Sequence, residues 1–216
     1  MKIVDLRGKL RTHKTKRYKK RSLSDIRSFG IHHSLTETGS PEAFNNFHID
    51  TNGWPGIAYT YAIQRDGTVY WCWDHDVVTY HVGNSNKHSL GICMIGDFRK
   101  NPPTPEQYKA ALELVRHLQP KIPTAKEIKG HSEYPGYSWK SCPVIDMDKF
   151  RADVEGAEED MQDVVLYVNG QKHKEPAKLS KEGRTYLPVS LFSGFTVTVE
   201  KWDNKNKTLH VRAEKR

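Results

Sequence analysis

Residues Leu90–Phe98 read LGICMIGDF, and this stretch decides the fold class. It carries one charged residue, Asp97, among otherwise apolar residues and glycines. A run that is apolar on both faces is typical of a central strand covered on both sides of a sheet. Ser28–Ser34 (SFGIHHS) predicts a second strand that ends in a histidine pair, and Glu127–Gly130 predicts a short third one.

Helix start signals accompany these strands. Ser40–Glu42 (SPE) supplies an N-cap serine, a proline at N1 and an acid in the first turn, so a helix is predicted from there to about Asp50. Thr104–Gln107 (TPEQ) is a capping box, after which apolar residues recur at helical spacing as far as Leu118. A last helix is predicted over Asp146–Val154.

A hairpin completes the predicted domain. Ile57–Gln64 and Thr68–Trp73 are strand-like runs joined by a turn that contains Asp66-Gly67, which is a strong hairpin signal. Strands mixed with helices in this order predict an α/β domain over residues 1–152, with a mixed central β-sheet flanked by helices.

The chain changes character after this domain. Residues 153–163 are mostly polar and acidic, and we interpret them as a linker. Residues 164–216 are interpreted as a small all-β-rich domain, basic in its own right with eleven Lys or Arg against five Asp or Glu. Its β-type runs are separated by turn signals and comprise Val164–Asn169, Arg184–Val189, Phe195–Trp202 and Lys207–Arg212.

Composition narrows the class of protein. The 216 residues are 36% hydrophobic with a mean hydropathy of −0.75, which indicates a soluble globular protein without a transmembrane segment. The N-terminus is basic but lacks the apolar core of a secretory signal. We therefore expect a chain made in the cytoplasm that reaches any outside target by another route.

The charge of the chain indicates a basic surface. The net charge is +8, and Leu10–Arg21 holds seven Lys or Arg in twelve residues. This segment is interpreted as a solvated arm or surface loop, with contact to a polyanion as the alternative. Nucleic acid, anionic lipid and anionic wall polymers all match such a charge, which does not choose among them.

The three cysteines exclude a disulfide framework. Cys72 and Cys93 lie in apolar runs and are predicted to be small buried hydrophobic residues. Cys142 follows Lys140 by two residues in a polar loop, WKSCP.

Two histidines occupy positions that differ from the rest. His32 ends a predicted strand and His131 follows another, whereas the remaining candidates at His13, His88, His117, His173 and His210 are expected at the surface. Two imidazoles and the Cys142 thiolate form a donor set suited to tetrahedral Zn²⁺, with the fourth position left for water. The chemistry of these side chains alone leaves open the alternative that His32, His131 and Cys142 are unrelated residues and form no metal site.

Two further residues have competing interpretations. Lys140 shares a side with Cys142 if the loop is extended, so its ammonium could stabilise an oxyanion, or it is simply a solvated lysine. Tyr59 lies in an apolar strand-like run, where a core aromatic residue is the plain interpretation.

Three stretches resemble one family closely: residues 47–73 (FHIDTNGWPGIAYTYAIQRDGTVYWCW), 80–98 (YHVGNSNKHSLGICMIGDF) and 130–143 (GHSEYPGYSWKSCP). This is the zinc amidase family of phage lysozyme-like amidases and peptidoglycan recognition proteins, and the resemblance covers roughly residues 25–150. It implies one Zn²⁺ held by His32, His131 and Cys142, catalytic Tyr59 and Lys140, and substrate-binding His81 and Trp54.

The resemblance also implies an activity and leaves one role open. The implied reaction is that of an N-acetylmuramoyl-L-alanine amidase, which hydrolyses the amide between the lactyl group of N-acetylmuramic acid and L-alanine in peptidoglycan. Some bacterial members carry a glutamate as general base where this chain has Cys93, which favours the tyrosine-using subgroup and leaves the general base open. With no secretory signal, release through a phage pore is the expected route to the wall.

The C-terminal run resembles the small β domain at the N-terminus of copper amine oxidases. This resemblance implies a wall-targeting module that contacts anionic wall polymers, and it implies no copper chemistry. Three alternatives for the whole chain remain: a non-catalytic peptidoglycan receptor, a nucleic-acid-binding protein and a structural zinc domain. Cys142 and Lys140 argue against the receptor, no nucleic-acid-binding motif is present, and a structural site needs a fourth protein ligand.

Overall fold

The computed structural model describes residues 1–156, 162–179, 185–187, 195–203, 205–206 and 208–215. The chain divides into two compact units, Met1–Val154 and Glu155–Arg216. Within the described residues, no helix has both the length and the apolar character needed to cross a membrane.

The first unit alternates strands and helices. Its elements are β1 (Ile3–Asp5), β2 (Ser28–His33), α1 (Pro41–Asp50), β3 (Tyr61–Ile63), β4 (Val69–Trp71), β5 (Ser89–Met94), α2 (Pro105–Leu118), β6 (Glu127–Gly130) and α3 (Met147–Glu155). Short 3-10 turns cover Leu23–Asp25, Gly83–His88 and His131–Glu133.

Six strands form one mixed sheet in the order β1-β4-β3-β5-β2-β6. The four strands β3, β5, β2 and β6 are parallel, while β4 runs antiparallel to β3. Every residue of β2 and β5 is buried, as expected for central strands covered on both faces of a sheet. The predicted mixed α/β fold is confirmed.

The helices begin where their caps predict. The Ser40 hydroxyl accepts a hydrogen bond from the Ala43 amide at 3.2 Å, and the Thr104 hydroxyl accepts one from the Gln107 amide at 3.1 Å. Gln107 is fully buried, and its Nε2 donates to the carbonyls of Ile63 and Ile95 at 2.8 and 3.0 Å. This side chain therefore ties the first turn of α2 to the ends of β3 and β5.

The hairpin strands are shorter than predicted because α1 takes some of their backbone donors. The Ile57 amide donates to Asn45 Oδ1 at 2.8 Å, and the Ala58 amide donates to His48 Nδ1 at 3.1 Å. The Ile95 amide still donates to the Ile63 carbonyl, and side-chain acceptors replace the ladder after it: the Gly96 amide donates to Ser34 Oγ and the Phe98 amide to His33 Nδ1, both at 2.9 Å. Strand geometry therefore ends before the apolar run does.

The basic segment Leu10–Arg21 lies at the surface but is not a free arm. Arg21 is buried and donates to the carbonyls of His75, Asn86 and Ser89, and burial lowers its pKa to about 10. The Tyr18 hydroxyl donates to the Gly56 carbonyl at 2.7 Å. The C-terminal half of the segment is thus fixed to the first unit.

The second unit contains β7 (Gln162–Val168), β8 (Gln171–Lys172), β9 (Ala177–Leu179), β10 (Thr185–Tyr186), β11 (Phe195–Asp203) and β12 (Thr208–Lys215). The strand order is β10-β9-β7-β12-β11, with β8 paired to β7. A small apolar cluster comprises Val164, Leu166, Ala177, Leu209 and Val211. This arrangement agrees with the β-type runs predicted for this part of the chain.

Parts of the C-terminal prediction fall outside the described residues. These are the predicted turns Glu182-Gly183 and Ser193-Gly194, residue 204 of the predicted turn at 203–204, and much of the run predicted over Arg184–Val189. α3 continues to Glu155, three residues into the predicted linker, and residues 157–161 are not among those described. The linker and the function of the module stay predictions.

We expect Gln107→Met to destabilise the first unit by about 1–3 kcal/mol, because two buried carbonyls lose a donor. Urea unfolding of the two variants Gln107→Met and Gln119→Met tests this, since Gln119 lies at the end of the same helix with no such bonds among the described residues. Equal stability of both variants would contradict the bridging role.

Candidate metal centre and groove

The sheet places two histidines side by side. β2 and β6 are parallel, and their register ends with Ile31 opposite Gly130. The next residues along the two strands are His32 and His131, so both emerge at the same carboxyl edge. In open α/β sheets this edge is where ligands bind.

A returning loop adds the third side chain. The Cys142 carbonyl accepts a hydrogen bond from the Ser132 amide at 3.1 Å, and the Ser141 carbonyl accepts one from His33 Nε2 at 2.9 Å. The loop is therefore fixed to the two elements that carry the histidines. The second histidine of the pair, His33, serves this anchoring role rather than facing the site.

The three side chains converge on one point. The two Nδ1 atoms of His32 and His131 are 3.1 Å apart, and Cys142 Sγ lies 3.9 Å from His32 Nδ1. The candidate ligand atoms of the three residues all lie within 4.8 Å of one another. The structure thus brings together the three residues that the sequence suggested as metal ligands.

A hydrogen-bond chain behind the site fixes the tautomer of His32. His81 Nε2 faces the Ser89 carbonyl at 3.3 Å, and a carbonyl only accepts, so this nitrogen carries the proton. His81 Nδ1 must then accept from His32 Nε2, which lies 2.9 Å away. His32 Nδ1 is consequently left with a free lone pair, directed at His131 and Cys142.

Two glycines make room for this relay. Gly30 on β2 and Gly91 on β5 are paired in register, and a Cβ on Gly91 would lie 2.9 Å from His81 Cγ. A Cβ on Gly30 would lie 3.0 Å from His81 Cε1. The imidazole of His81 therefore lies in a slot that larger residues at these positions would fill.

The structure gives His81 a position beside the metal group. The side chain is only 7% exposed, and both ring nitrogens are bonded inside the protein. It is therefore placed to orient His32, while the substrate contact expected of it stays a prediction.

Burial sets the charge state of the group. Burial lowers the pKa of His32 well below its ordinary value, and burial with the nearby Lys140 lowers that of His131 to about 4. Burial raises the pKa of Cys142 to about 11. His131 Nε2 is also buried without a hydrogen-bond partner among the described residues. Two neutral imidazoles and a buried thiol fit a soft divalent cation, which would stabilise the thiolate.

Lys140 lies at the rim of this group. Its amide donates to the Tyr137 carbonyl at 2.9 Å, and its Nζ lies 4.8 Å from the ring centroid of Trp139. Its charge is near enough to contribute to the lowered pKa of His131, after burial. A cation is therefore held beside the cluster without belonging to it.

Tyr59 neighbours His32, with ring centroids 5.3 Å apart. Burial raises the pKa of its phenol well above its usual value. Cys93 is fully buried on β5, opposite His32 in the ladder, so the predicted burial of this cysteine is confirmed. Cys93 lies beneath Tyr59 and cannot contact a substrate.

Aromatic side chains border the site. Trp54 stacks on His48 with centroids 5.2 Å apart and planes 29° apart. The ring of Tyr137 lies 4.6 Å from that of His131, and Trp139 is 74% exposed. Sequence reasoning selected Trp54 but missed the other three, although they lie in the quoted stretches beside the selected residues.

Other expected positions lie elsewhere. The five histidines predicted at the surface take no part in the metal group, and His88 and His117 are exposed whereas His13, His173 and His210 are partly buried. Cys72 is buried as predicted. Backbone strain does lie near the site, since Leu35 and Val144 have φ values of 61° and 60°, which non-glycine residues rarely adopt.

Known proteins match this chain over the part that contains the metal group. A family model described as Amidase_2, N-acetylmuramoyl-L-alanine amidase, matches residues 22–144. The endolysin of Enterobacteria phage K11 is 34% identical over 103 residues, which are 45% of this chain and 66% of that protein. Peptidoglycan-recognition protein LE of Drosophila melanogaster is 35% identical over 96 residues, 41% of this chain and 27% of its own length. The chain thus spans slightly less than two thirds of the phage relative.

Solved structures show the same fold. The Ph2119 endolysin from Thermus scotoductus MAT2119 bacteriophage Ph2119 is 28% identical with a TM-score of 0.61, over 71% of this chain and 98% of that one. The amidase LysC from Clostridium intestinale URNW is 24% identical with a TM-score of 0.58, over 72% and 98% of the two chains.

We expect His81→Ala to weaken Zn²⁺ binding by about 10–100-fold, because His32 loses the acceptor that orients it. His81→Asn should weaken binding less, since its Oδ1 lies near the position of Nδ1 and can accept from His32. Competition against a chromophoric chelator measures both affinities. If the Asn and Ala variants bind Zn²⁺ equally, the hydrogen bond does not orient the ligand.

Proposed function

Because the chain belongs to the N-acetylmuramoyl-L-alanine amidase family, we propose that it hydrolyses the amide between the lactyl group of N-acetylmuramic acid and L-alanine in peptidoglycan. The observation that carries this proposal is the convergence of His32, His131 and Cys142 beside the Lys140 ammonium. The two imidazole nitrogens and the thiol sulfur can bind a metal ion. The nearby Lys140 ammonium can stabilise an oxyanion at the same place.

We propose Zn²⁺ as the metal of this group. Three protein ligands with an open fourth position are typical of catalytic zinc sites, whereas structural sites usually have four. Bound there, Zn²⁺ would supply a water of lowered pKa and polarise the scissile carbonyl. The relay through His81 supports this role, because it directs the lone pair of His32 at the metal position.

Lys140 and Tyr59 are the proposed catalytic residues. The ammonium of Lys140 would stabilise the oxyanion that forms when water adds to the amide carbonyl. Tyr59 stays protonated because burial raises its pKa, so its hydroxyl would donate a hydrogen bond or hold a proton rather than act as a base at neutral pH. Cys93 is too deeply buried to serve as the general base.

Substrate contacts are proposed for the aromatic border. Of the two residues predicted to bind substrate, His81 and Trp54, we propose this role for Trp54, whose ring is stacked on His48. The exposed ring of Trp139 offers a second apolar surface. For His81 we propose a positioning role.

We further propose a lytic role at the cell wall. Relatives named endolysin, from Enterobacteria phage K11 and Klebsiella phage KP32, support release from a host cell, and a phage pore is the proposed route. The basic residues 164–216 are proposed to target the wall through its anionic polymers, as the likeness to the β domain of copper amine oxidases suggested.

A peptidoglycan receptor is the second candidate. Peptidoglycan-recognition proteins are among the relatives, which favours binding of the same polymer. The presence of Cys142 within the metal group distinguishes the two, because a receptor does not need a ligand set with an open position.

The purified protein should release free amino groups from cell walls without new reducing ends. A chelator should abolish the release and Zn²⁺ should restore it, because a metal held by the three residues would supply a water of lowered pKa. Cys142→Ser should be inactive, whereas Cys72→Ser, a buried cysteine outside the group, should retain activity. New reducing ends, or activity that resists chelation, would contradict the amidase.

Lys140→Met should lower kcat by about 10²–10³-fold with the zinc content unchanged, because the oxyanion loses its partner. Lys126→Met is the matched control, since Lys126 is exposed and precedes β6, at the opposite end of that strand from His131. Steady-state kinetics on a soluble muramoyl-peptide give kcat, and metal analysis gives occupancy. A fall in zinc content that accounts for the lost rate would assign Lys140 to metal binding instead.

A further inference from the structure

The basic segment borders a partly open cavity on the first unit. This cavity, here called the arm cavity, has a volume of about 360 Å³. Its lining includes Arg17, Tyr18 and Lys20 from the basic segment, and Arg7, Trp73 and Asp74 from the body of the unit. Its size lies within the range of small-molecule sites, and three cations against one carboxylate line it.

Two fixed aromatic rings form the apolar wall. Tyr18 and Trp73 meet edge to face with centroids 5.4 Å apart. The Tyr18 hydroxyl donates to the Gly56 carbonyl and Trp73 Nε1 donates to the Ile57 carbonyl, so their polar groups are already bonded. Their carbon surfaces are therefore what a ligand in the cavity would meet.

Arg17 is the cation that remains available to a ligand. Arg7 is ion-paired with Asp5 and Asp74, and Lys20 is ion-paired with Asp76. Arg17 Nη1 donates to two backbone carbonyls, and no carboxylate among the described residues pairs with this guanidinium. Its other N–H donors can bind an anionic group in bidentate geometry.

Ring contacts connect the arm cavity to the metal centre. The sequence of neighbouring rings, each pair with centroids at most 6.0 Å apart, is Trp73, Tyr18, Tyr80, Trp54, His48, Tyr59 and His32. One run of neighbouring aromatic side chains therefore connects the wall of the arm cavity with the ring of His32 within the same unit.

We propose that the arm cavity is a second saccharide site, which binds a sugar carrying a carboxylate or phosphate on the same wall polymer. This inference rests on the proposed amidase function. Hydrolysis adds water across the C–N bond and leaves a lactyl carboxylate on the sugar and an amine on the peptide. The carboxylate of this stripped glycan, or the phosphate of a polymer attached to it, is the anionic group that Arg17 would bind, with the sugar on Trp73 and Tyr18.

The test compares three single variants of the full chain. Arg17→Ser should bind glycan strands stripped of their stem peptides about tenfold more weakly, the effect of losing one charge-assisted contact. Lys14→Ser removes a charge from the same segment outside the cavity and should stay within about twofold of the wild type. Arg17→Lys, which keeps the charge, should lose less than Arg17→Ser. Thermal unfolding checks that each variant is folded.

Further arms identify the source of the anionic group. Stripped glycan with esterified carboxylates, and a glycerol-phosphate polymer, are compared with untreated stripped glycan. Sensitivity of binding to esterification supports the carboxylate, and an Arg17-dependent affinity for the phosphate polymer supports the phosphate. If Arg17→Ser and Lys14→Ser lose affinity equally, or neither loses it, the cavity is not a binding site.

Amine release from a soluble muramoyl-peptide separates this inference from the proposed function. Arg17→Ser should release amine at the wild-type rate, because Arg17 lies outside the metal centre. A wild-type protein that releases no amine contradicts the amidase, whereas normal release with unchanged glycan binding in Arg17→Ser overturns the arm cavity alone.

Discussion

The hydrogen-bond chain from the Ser89 carbonyl through His81 to His32 is the constraint on which the site depends. A carbonyl cannot donate, so each proton in the chain has one possible position, and the lone pair of His32 Nδ1 is directed at the metal position. The chain requires a ring wedged against two strands, which only the paired glycines Gly30 and Gly91 allow. The two glycines, which have no functional side chain, therefore determine how the imidazole of His32 is oriented.

Sheet register provides the rest of the convergence. The last paired positions of β2 and β6 immediately precede His32 and His131, so parallel pairing itself brings the two imidazoles together. Cys142 arrives from a loop, and hydrogen bonds from Ser132 and His33 fix that loop to the same two elements. A shift of register by one residue would turn the His32 side chain to the opposite face of the sheet, away from the other two residues.

The sequence predicted what depends on local pattern. The buried strands, the capped helices and the metal group follow from apolar runs, Ser-Pro and Thr-Pro starts, and matched motifs. It could not predict where backbone donors of residues 57 and 58 would go, because their acceptors lie on α1. The position of His81 and the attachment of the basic segment were likewise missed, since both depend on contacts between residues far apart in the chain.

The three candidate metal ligands are buried, so an ionised ligand among them is stable only when a cation compensates the cost of its desolvation. Desolvation favours the neutral forms of all three candidate ligands, and it raises the pKa of the Cys142 thiol to about 11. Lys140 supplies positive charge at the rim, where it is partly solvated, rather than within the cluster. Binding of a metal to this group would therefore be coupled to loss of the thiol proton. The same low polarity that resists an empty, charged site strengthens the interaction of a bound cation with its ligands, so the deep burial of His32 and Cys142 favours the loaded state.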